Sequence, residues 1–232
     1  MKTMAAFHER TEHLGRVPYA EALEIQERLV AERRHQAADD LLLLVEHDPV
    51  YTIGRTRDQS SLRNHPDLPA PIHVINRGGQ ATWHGPGQLV GYPIIDLRRR
   101  TRDLHVYLRA IEKALILALA QLGVPARSRD QLTGVWVEDR KIASIGVGVR
   151  GWITMHGFAL NLTNDLAGFD PIVPCGIADV QMTSVSRECG IEPGWEKACG
   201  VISTCFWHTL ECALPVKKEP QQDFETEPVS LP

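Results

Sequence analysis

The sequence has no run of about 20 consecutive apolar residues, the length that a membrane-spanning helix requires. Its first residues, M-K-T-M-A-A-F-H-E-R-T-E, carry acidic side chains where a signal peptide would need an apolar stretch. These absences argue against the membrane-spanning and secreted classes of protein. We therefore expect a soluble, cytoplasmic protein.

Basic tails and nucleotide-binding glycine patterns are also missing. The formal net charge is −4, and acidic and basic residues alternate along the chain, which argues against general binding to nucleic acid. Neither a Walker nor a Rossmann glycine pattern is present. A regular doubly wound nucleotide-binding fold is therefore not predicted.

The five cysteines include no C-x-x-C pair, so neither a zinc knuckle nor a disulfide framework is expected. Cys205 and Cys212 lie seven residues apart in an apolar run. This spacing places both on one helical face, and we predict that both pack in the core. Cys175 differs because Pro174 and Gly176 flank it, a setting typical of an irregular loop.

The distribution of apolar residues predicts an α/β fold of the α+β type, in which helices cover a mixed or antiparallel β-sheet. Residues 1–214 form one predicted domain. The charged, proline-containing tail at 215–232 has too few apolar residues to offset the entropy of ordering it, so we predict that it is disordered. Helices are predicted at 19–34, 104–122 and 197–214. Extended segments are predicted at 41–45, 50–53, 72–75, 88–97 and 152–162, and a hairpin with its turn at 138–141.

Five glycines, an arginine and a histidine are concentrated in the segment 77–93, R-G-G-Q-A-T-W-H-G-P-G-Q-L-V-G-Y-P. Gly78 and Gly79 can bring the backbone close to a ligand and aim amide groups at it, while Thr82 and His84 supply further donors. A glycine-rich connection whose histidine only satisfies a carbonyl group is an equally good interpretation of the composition alone.

Cys175 and Lys141 are candidates for a catalytic pair. A cysteine is nucleophilic only as the thiolate, so Cys175 needs a neighbour that favours the anion, and the Gly176 amide could bind a developing oxyanion. Lys141 follows a predicted turn and starts the uncharged run I-A-S-I-G-V-G-V. Taken singly, a loop cysteine is more often incidental than catalytic and a turn lysine is more often solvated. The residues alone leave both alternatives open.

Four further patterns follow one another in a fixed order. They read R-G-G-Q-A-T-W-H-G-P-G-Q at 77–88, G-V-W-V-E-D-R-K-I-A-S-I-G at 134–146, H-G-F-A-L-N at 156–161 and P-C-G-I at 174–177. Two other patterns, E-H-D-P-V-Y-T-I-G-R and M-T-S, stand at 46–55 and 182–184. In this order they resemble the lipoyl(octanoyl) transferase family, and the likeness extends from about residue 19 to residue 214.

The resemblance implies the fold of the biotin and lipoate protein ligases and a two-step acyl transfer. Cys175 matches the family's acyl-thioester cysteine, and Lys141 matches the lysine that favours its thiolate and serves as acid and base. Trp83 and Met155 stand where tyrosine is common in the family. We therefore expect the shape of the acyl tunnel to differ from the family's. The implied substrate-binding residues form one loop and parts of two strands: Arg77, Gly78, Gly79, Gln80, Ala81, Thr82, Trp83, His84, Ser144, Ile145, Gly146, Gly157, Phe158 and Ala159.

In the implied reaction the Cys175 thiolate takes an octanoyl group from octanoyl-acyl carrier protein. A lysine of an apo lipoyl domain, in a 2-oxoacid dehydrogenase complex or in the glycine cleavage H protein, then loses a proton to Lys141 and attacks the acyl-enzyme. Neither ATP nor a metal is implied, because the donor thioester is already activated, and neither nucleic acid nor a membrane is a partner. The basic run Arg98–Arg102 is a candidate docking patch for the acidic partners, although a solvated loop is an equally good interpretation.

Three other functions fit parts of the sequence. An ATP-dependent lipoate or biotin ligase would share the fold but acylate no cysteine, so the P-C-G-I segment argues against it. A non-catalytic acyl-binding module would have no use for a pair of Lys141 and Cys175. A cysteine hydrolase with His84 or His156 as its base would release free octanoate.

Overall fold

The computed structural model describes residues 9–35, 38–55, 59–62, 68–177 and 180–217, without the side chains of Gln59, Ser60 and Cys175. The helices in these ranges are α1 (Tyr19–His35), α2 (Leu104–Gln121), α3 (Val185–Cys189) and α4 (Trp195–Ala213). The strands are β1 (Glu9–Arg16), β2 (Asp40–Glu46), β3 (Val50–Ile53), β4 (Ile72–Val74), β5 (Thr82–His84), β6 (Gln88–Ile94), β7 (Arg127–Arg129), β8 (Leu132–Val137), β9 (Arg140–Arg150), β10 (Ile153–Asn161) and β11 (Gln181–Met182). Short 3₁₀ turns lie at Gln59–Leu62, Leu166–Phe169 and Pro174–Gly176.

Within the described ranges, eight strands form one mixed sheet in the order β1-β2-β6-β10-β9-β8-β7, with β11 beside β9. The β1–β2 and β11–β9 pairs are parallel, and the other neighbours in this sheet are antiparallel. A smaller sheet has the order β4-β3-β5. The mixed α/β fold expected from the sequence is confirmed.

The main sheet is buried on both faces, which explains the continuous apolar run of β2. Leu42 and Leu44 contribute to the core under α2 and α4, while Leu41 and Leu43 contribute to the core under α1. Side chains alternate between the faces of a strand, so a strand covered on both sides needs apolar residues at every position. The run 41–45 therefore forms the strand that was predicted.

The helices begin close to their predicted positions because local signals mark their ends. Asp103 caps α2, and its Oδ1 accepts hydrogen bonds from the backbone N–H groups of His105 (2.8 Å) and Val106 (3.1 Å). The predicted strands and the hairpin between β8 and β9 are also present. No pattern predicted β1, whose residues are mostly charged and exposed.

The prediction that Arg98–Arg102 forms a docking patch is wrong for Arg100. Arg100 is 1% exposed and forms ion pairs with Asp40 (2.9 Å), Glu211 (3.1 Å) and Glu9 (3.3 Å). Arg98 bonds Asp96 through its Nε (2.8 Å) and Nη2 (2.7 Å) atoms. The Arg100 charge is neutralised inside the protein, so it cannot also attract an acidic partner, whereas the guanidinium of Arg98 stays partly exposed.

The prediction that Cys205 and Cys212 both pack in the core holds for Cys205 alone. Cys205 is buried, whereas Cys212 is exposed beside His208 in the last turn of α4. Leu210 and Leu214 continue the core at this end of α4, whereas the side of the helix that carries Cys212 is uncovered.

The chain after α4 is described up to Lys217, whose N–H donates to the carbonyl of Arg99 (2.8 Å). Residues 218–232 of the predicted disordered tail lie outside the described residues. In the part of the chain that the structure describes, no helix has the length and apolar character needed to cross a membrane.

Candidate active site

A cavity of about 330 Å³, called the main cavity because most of the predicted binding residues line it, lies where the glycine-rich loop meets β9 and β10. Its size falls within the roughly 300–1,000 Å³ of small-molecule sites. Apolar walls come from Val90, Leu108 and Phe158 among others. The predicted substrate-binding residues that line this cavity are Arg77, Gly78, Gly79, Thr82, His84, Ser144, Ile145, Gly146, Gly157, Phe158 and Ala159.

Three predicted binding residues, Gln80, Ala81 and Trp83, are not in the described wall of the main cavity. Trp83 is buried against Phe169, with 5.4 Å between ring centroids. A Cβ atom added at Gly85 or Gly168 would lie 2.2 or 2.3 Å from the Trp83 ring, so these glycines make room for the indole. Tryptophan at this position therefore fills a neighbouring core and leaves the described cavity wall unchanged.

Glycine at position 157 lets β10 approach β6 closely in the cavity wall. A Cβ atom there would lie 2.2 Å from the Gly91 carbonyl oxygen, far inside van der Waals contact. Arg77, which also lines the cavity, is fixed because its Nη2 donates to the carbonyl oxygen (2.9 Å) and Oγ1 (2.8 Å) of Thr52. The cavity wall thus includes closely packed backbone and a tethered cation.

His84 is held by a chain of hydrogen bonds that defines which ring nitrogen carries the proton. Asn161 Nδ2 donates to the Thr183 carbonyl (2.9 Å), so Asn161 Oδ1 accepts from Gln88 Nε2 (2.9 Å). The remaining Gln88 Oε1 must accept, and it lies 2.7 Å from His84 Nδ1. His84 therefore carries its proton on Nδ1, and its Nε2 is a hydrogen-bond acceptor.

Burial keeps His84 uncharged. Desolvation, with further contributions from His47 and Arg77, lowers the pKa of His84 from 6.5 to about 3. A neutral imidazole with this pKa is a weak base at neutral pH. It can accept a hydrogen bond from a ligand, but it is poorly suited to remove a proton as the hydrolase hypothesis requires.

His47 and Tyr92 form a second satisfied group beside His84, and residue patterns did not identify it as part of the site. His47 Nδ1 donates to the Val17 carbonyl (2.7 Å), and its Nε2 accepts from the Tyr92 hydroxyl (2.7 Å). Tyr19 stacks on His84 with ring centroids 5.9 Å apart. The motif E-H-D-P contains His47, but its role depends on partners 30 and 45 residues away.

Lys141 is fully buried on β9, so the structure excludes the solvated turn lysine. Its Nζ has no hydrogen-bond partner among the described residues and lies 5.3 Å from the centre of the Trp136 ring. A cation over an indole face gains electrostatic stabilisation without a hydrogen bond. None of the three ammonium donors is used by a residue that the structure describes.

Gly134 provides the space that Lys141 occupies. A Cβ atom at position 134 would lie 2.6 Å from Lys141 Cε, and the residue has φ +131°, a conformation that disfavours side chains. The buried carboxylate of Glu112 accepts a hydrogen bond from the Gly134 N–H (3.0 Å). The G-V-W-V pattern therefore contains both the glycine under the lysine and the indole beside it.

Cys175 lies in the 3₁₀ turn Pro174–Gly176, next to the glycine-rich loop. A Cβ atom at Gly176 would lie 2.0 Å from Gln80 Oε1, so this turn packs against the loop, and Ile177 lines the main cavity. The Cys175 side chain lies outside the described residues, and its pairing with Lys141 stays a prediction.

The Gly176 amide does not provide the oxyanion donor that the sequence suggested. It donates to the Val173 carbonyl (3.0 Å) inside the turn. Gly78 in the neighbouring loop likewise donates its N–H to the Val147 carbonyl (3.0 Å). These two amides stabilise local structure and are not available to a ligand in this conformation.

His156 differs from the other buried histidines near the cavity. Its φ is +56°, it is 2% exposed, and neither ring nitrogen has a partner among the described residues. Burial, together with the charges of Arg77 and Arg150, lowers its pKa to about 3. No described residue uses the hydrogen-bonding capacity of this imidazole.

A second cavity of about 340 Å³ shares His156 with the main cavity. Arg55, Arg150 and Met155 also line it. Met155, the other departure from the family pattern, thus faces this cavity. Among the described residues, no group of three or more histidine, cysteine, aspartate or glutamate side chains could hold a metal ion.

Relatives of this chain are octanoyltransferases. The lipoyl protein ligase A/B catalytic domain family matches residues 18–207. The chain is 56% identical over 177 residues to an octanoyltransferase of Geobacter sulfurreducens, covering 76% of this chain and 74% of that protein. It is 50% identical over 202 residues to an octanoyltransferase of Citrifermentans bemidjiense, covering 87% and 97%.

Solved structures with the same fold are ligases. A bipartite lipoate protein ligase from Thermoplasma acidophilum matches with a TM-score of 0.68 and 18% identity, over 89% of this chain and 85% of that chain. The biotin protein ligase of Aquifex aeolicus matches with a TM-score of 0.53 and 12% identity, over 88% and 70%. At these identities the likeness shows a common fold alone. The family match and the octanoyltransferase relatives together show that this chain belongs to the lipoyl protein ligase A/B catalytic domain family.

Proposed function

We propose that this protein is an octanoyltransferase that carries an octanoyl group from octanoyl-acyl carrier protein, through a thioester on Cys175, to a lysine of an apo lipoyl domain. The observation that supports it is the buried ammonium of Lys141, whose Nζ has no hydrogen-bond partner among the described residues. Lys141 is not itself in the described wall of the main cavity, but its strand, β9, contributes Ser144, Ile145 and Gly146 to that wall. A cation with unused donors is suited to hold a thiolate or a reacting amine.

In the first half-reaction the Cys175 thiolate attacks the octanoyl thioester. The carbon–sulfur bond to the carrier breaks, a new thioester forms on Cys175, and the carrier thiol leaves with a proton from Lys141. The positive charge of Lys141 favours the thiolate before attack. One thioester replaces another, so this step needs no ATP.

In the second half-reaction the ε-amine of the acceptor lysine attacks the thioester carbonyl. Lys141, now neutral, accepts the proton that the amine loses, and the Cys175 thiolate leaves. The product is an amide, which is more stable than the thioester, so the transfer proceeds forward. His84 Nε2 accepts a hydrogen bond from a substrate N–H group in the main cavity.

The apolar wall of the main cavity provides the binding energy for the acyl chain. Each buried methylene contributes about 0.8 kcal/mol, which separates octanoyl from much shorter chains but discriminates weakly against neighbouring lengths. The acceptors are apo lipoyl domains, including those of 2-oxoacid dehydrogenase complexes and the glycine cleavage H protein. The reaction takes place in the cytoplasm, within a single domain comprising residues 1–214.

An ATP-dependent ligase is the alternative, because a lipoate-protein ligase bound with ATP matches this fold with a TM-score of 0.70 and 16% identity, over 88% of this chain and 86% of that chain. The P-C-G-I segment and the octanoyltransferase relatives favour transfer without ATP. Transfer from octanoyl-acyl carrier protein to an apo lipoyl domain, measured with and without ATP, separates the two. We expect equal rates in both conditions and loss of transfer in Cys175→Ser. A requirement for ATP, or normal transfer by Cys175→Ser, would contradict the proposal.

A further inference from the structure

His156 combines a left-handed backbone with a buried ring that has no hydrogen-bond partner among the described residues. A non-glycine residue with left-handed φ costs about 1–3 kcal/mol, and a buried polar group without a hydrogen bond is also unfavourable. The backbone here is fixed by its surroundings, since the His156 N–H donates to Gln26 Oε1 (2.8 Å). Strain of this kind persists where the surrounding structure imposes it, and it is concentrated at sites that bind ligands.

His156 lies in the wall of both cavities, so a ligand that extends from one to the other must pass it. The main cavity is mostly apolar, whereas the second cavity contains the cations Arg55 and Arg150 and one acidic residue, Glu27. A ligand complementary to both therefore has an apolar chain at one end and polar, negatively charged groups at the other. Rotation about the broad χ2 torsion of histidine would turn a ring nitrogen of His156 toward it.

The charges around His156 distinguish between the two substrates of the proposed reaction. Arg77 and Arg150 already act on the His156 ring and disfavour a positive charge there. The acceptor lysine is a cation, while the thioester donor ends in a phosphate linked through two amide groups. The surroundings of His156 consequently suit the donor and oppose the acceptor.

We propose that the second cavity, with His156 and Arg150, binds the amide- and phosphate-bearing arm of the thioester donor. This inference rests on the proposed function and adds a binding site for one of its substrates. His156 hydrogen-bonds an amide of the arm, and Arg150 lies toward its phosphate. Arg150 pairs with Glu27 (3.0 Å) in the free protein, and the phosphate competes with that exposed carboxylate.

The test is titration of the full chain with 4′-phosphopantetheine and with pantetheine, followed by NMR of the histidine ring nitrogens and by calorimetry. We expect the phosphorylated compound to bind about three- to fivefold more tightly, as one partly exposed charge pair allows. The ring signals of His156 should shift on binding. Arg150→Gln should remove the preference for phosphate, whereas Arg28→Gln, an equivalent charge change on the exposed side of α1, should retain it.

Replacement of His156 separates a binding role from a structural one. His156→Leu should weaken binding of both compounds roughly tenfold, but leucine tolerates the left-handed backbone poorly, so its melting temperature should fall. His156→Asn tolerates the left-handed backbone and keeps a donor and an acceptor, so it should restore part of the affinity. Loss of stability in both variants with unchanged affinity would indicate a structural residue and overturn the inference.

Equal affinity of the wild-type protein for pantetheine and 4′-phosphopantetheine would also overturn the inferred binding site. The outcome is independent of catalysis, because neither compound carries an acyl group. Selective binding without octanoyl transfer would refute the proposed function and leave the binding site standing. Octanoyl transfer without selective binding would support the proposed function and refute the binding site.

Discussion

Two sets of buried polar side chains differ in how their hydrogen bonds are used. Around His84, the described side chains of His47, Gln88 and Asn161 bond one another or the backbone. Lys141 and His156 are as deeply buried, yet their side-chain nitrogens have no hydrogen-bond partner among the described residues. A buried polar group normally has a hydrogen-bond partner. We therefore interpret the first set as structural and the second set as side chains that bind ligands.

The largest effect should come from Lys141→Met, which tests the set without hydrogen-bond partners. Octanoyl transfer should fall at least about 100-fold, the usual contribution of a general acid–base residue. The free energy of unfolding should stay the same or increase, since a buried cation without a hydrogen-bond partner among the described residues is replaced by an apolar chain of similar length. Transfer rates and thermal unfolding measure both. Lys113→Met, on the exposed side of α2, should leave both unchanged, and near-normal transfer by Lys141→Met would contradict the comparison.

Gly134→Ala should displace Lys141 without removing it. The added Cβ would lie 2.6 Å from Lys141 Cε at a residue with φ +131°, which should lower the free energy of unfolding by about 1–3 kcal/mol and slow transfer roughly tenfold. Denaturant unfolding and transfer kinetics provide the measurement. Gly200→Ala in α4 is the matched control, because no atom lies within 4 Å and the helix should gain about 0.5–1 kcal/mol. Similar effects of both substitutions would argue against the steric explanation.

Gln88→Leu tests the hydrogen-bonded set around His84. It leaves the His84 Nδ1–H without its acceptor and removes one donor from Asn161, so the free energy of unfolding should fall by about 1–3 kcal/mol. Gln121→Leu, at an exposed helix end, should change it by less than about 0.5 kcal/mol. NMR of the wild-type protein should find the His84 proton on Nδ1, and a proton on Nε2 instead would refute the assigned network.

The buried histidines should make stability depend on pH in a defined direction. His84 and His156 have a pKa of about 3 in the folded protein against 6.5 for the free side chain, so the unfolded chain binds protons first as the pH falls. Stability should therefore be fully present above pH 6.5 and decrease below it, by at most about 1.4 kcal/mol per pH unit for each histidine. Unfolding curves between pH 7.5 and 5 measure the slope. His156→Asn should remove the contribution of one histidine to that slope. An unchanged slope would contradict the burial of His156.

Most of the fold follows from residue patterns because the main elements bury one or two apolar faces. The periodicity of α2 and the continuous apolar run of β2 were sufficient to place both. Strand β1 escaped prediction because its pairing with β2 depends on backbone hydrogen bonds along an edge, not on its own charged side chains. Arg100 was misassigned for a related reason, since its partners Glu9, Asp40 and Glu211 are far away in the sequence.

The site was predicted in outline but not in its internal contacts. Glycine-rich patterns and the H-G-F-A-L-N segment identified residues that the structure brings to the main cavity. They could not reveal that the Gly176 amide is used within its own turn or that Trp83 points into a separate core. Those facts depend on long-range packing and backbone geometry, which local residue patterns do not encode.

The most direct measurement of the central claim is the position and rate of acylation when the protein meets octanoyl-acyl carrier protein without an acceptor. Mass spectrometry of proteolytic fragments after short incubation should find the octanoyl group on Cys175 as a hydroxylamine-sensitive thioester. The same adduct should form at least about 100 times more slowly in Lys141→Met. An octanoyl group on another residue, or equally fast acylation of Cys175 in Lys141→Met, would contradict the account.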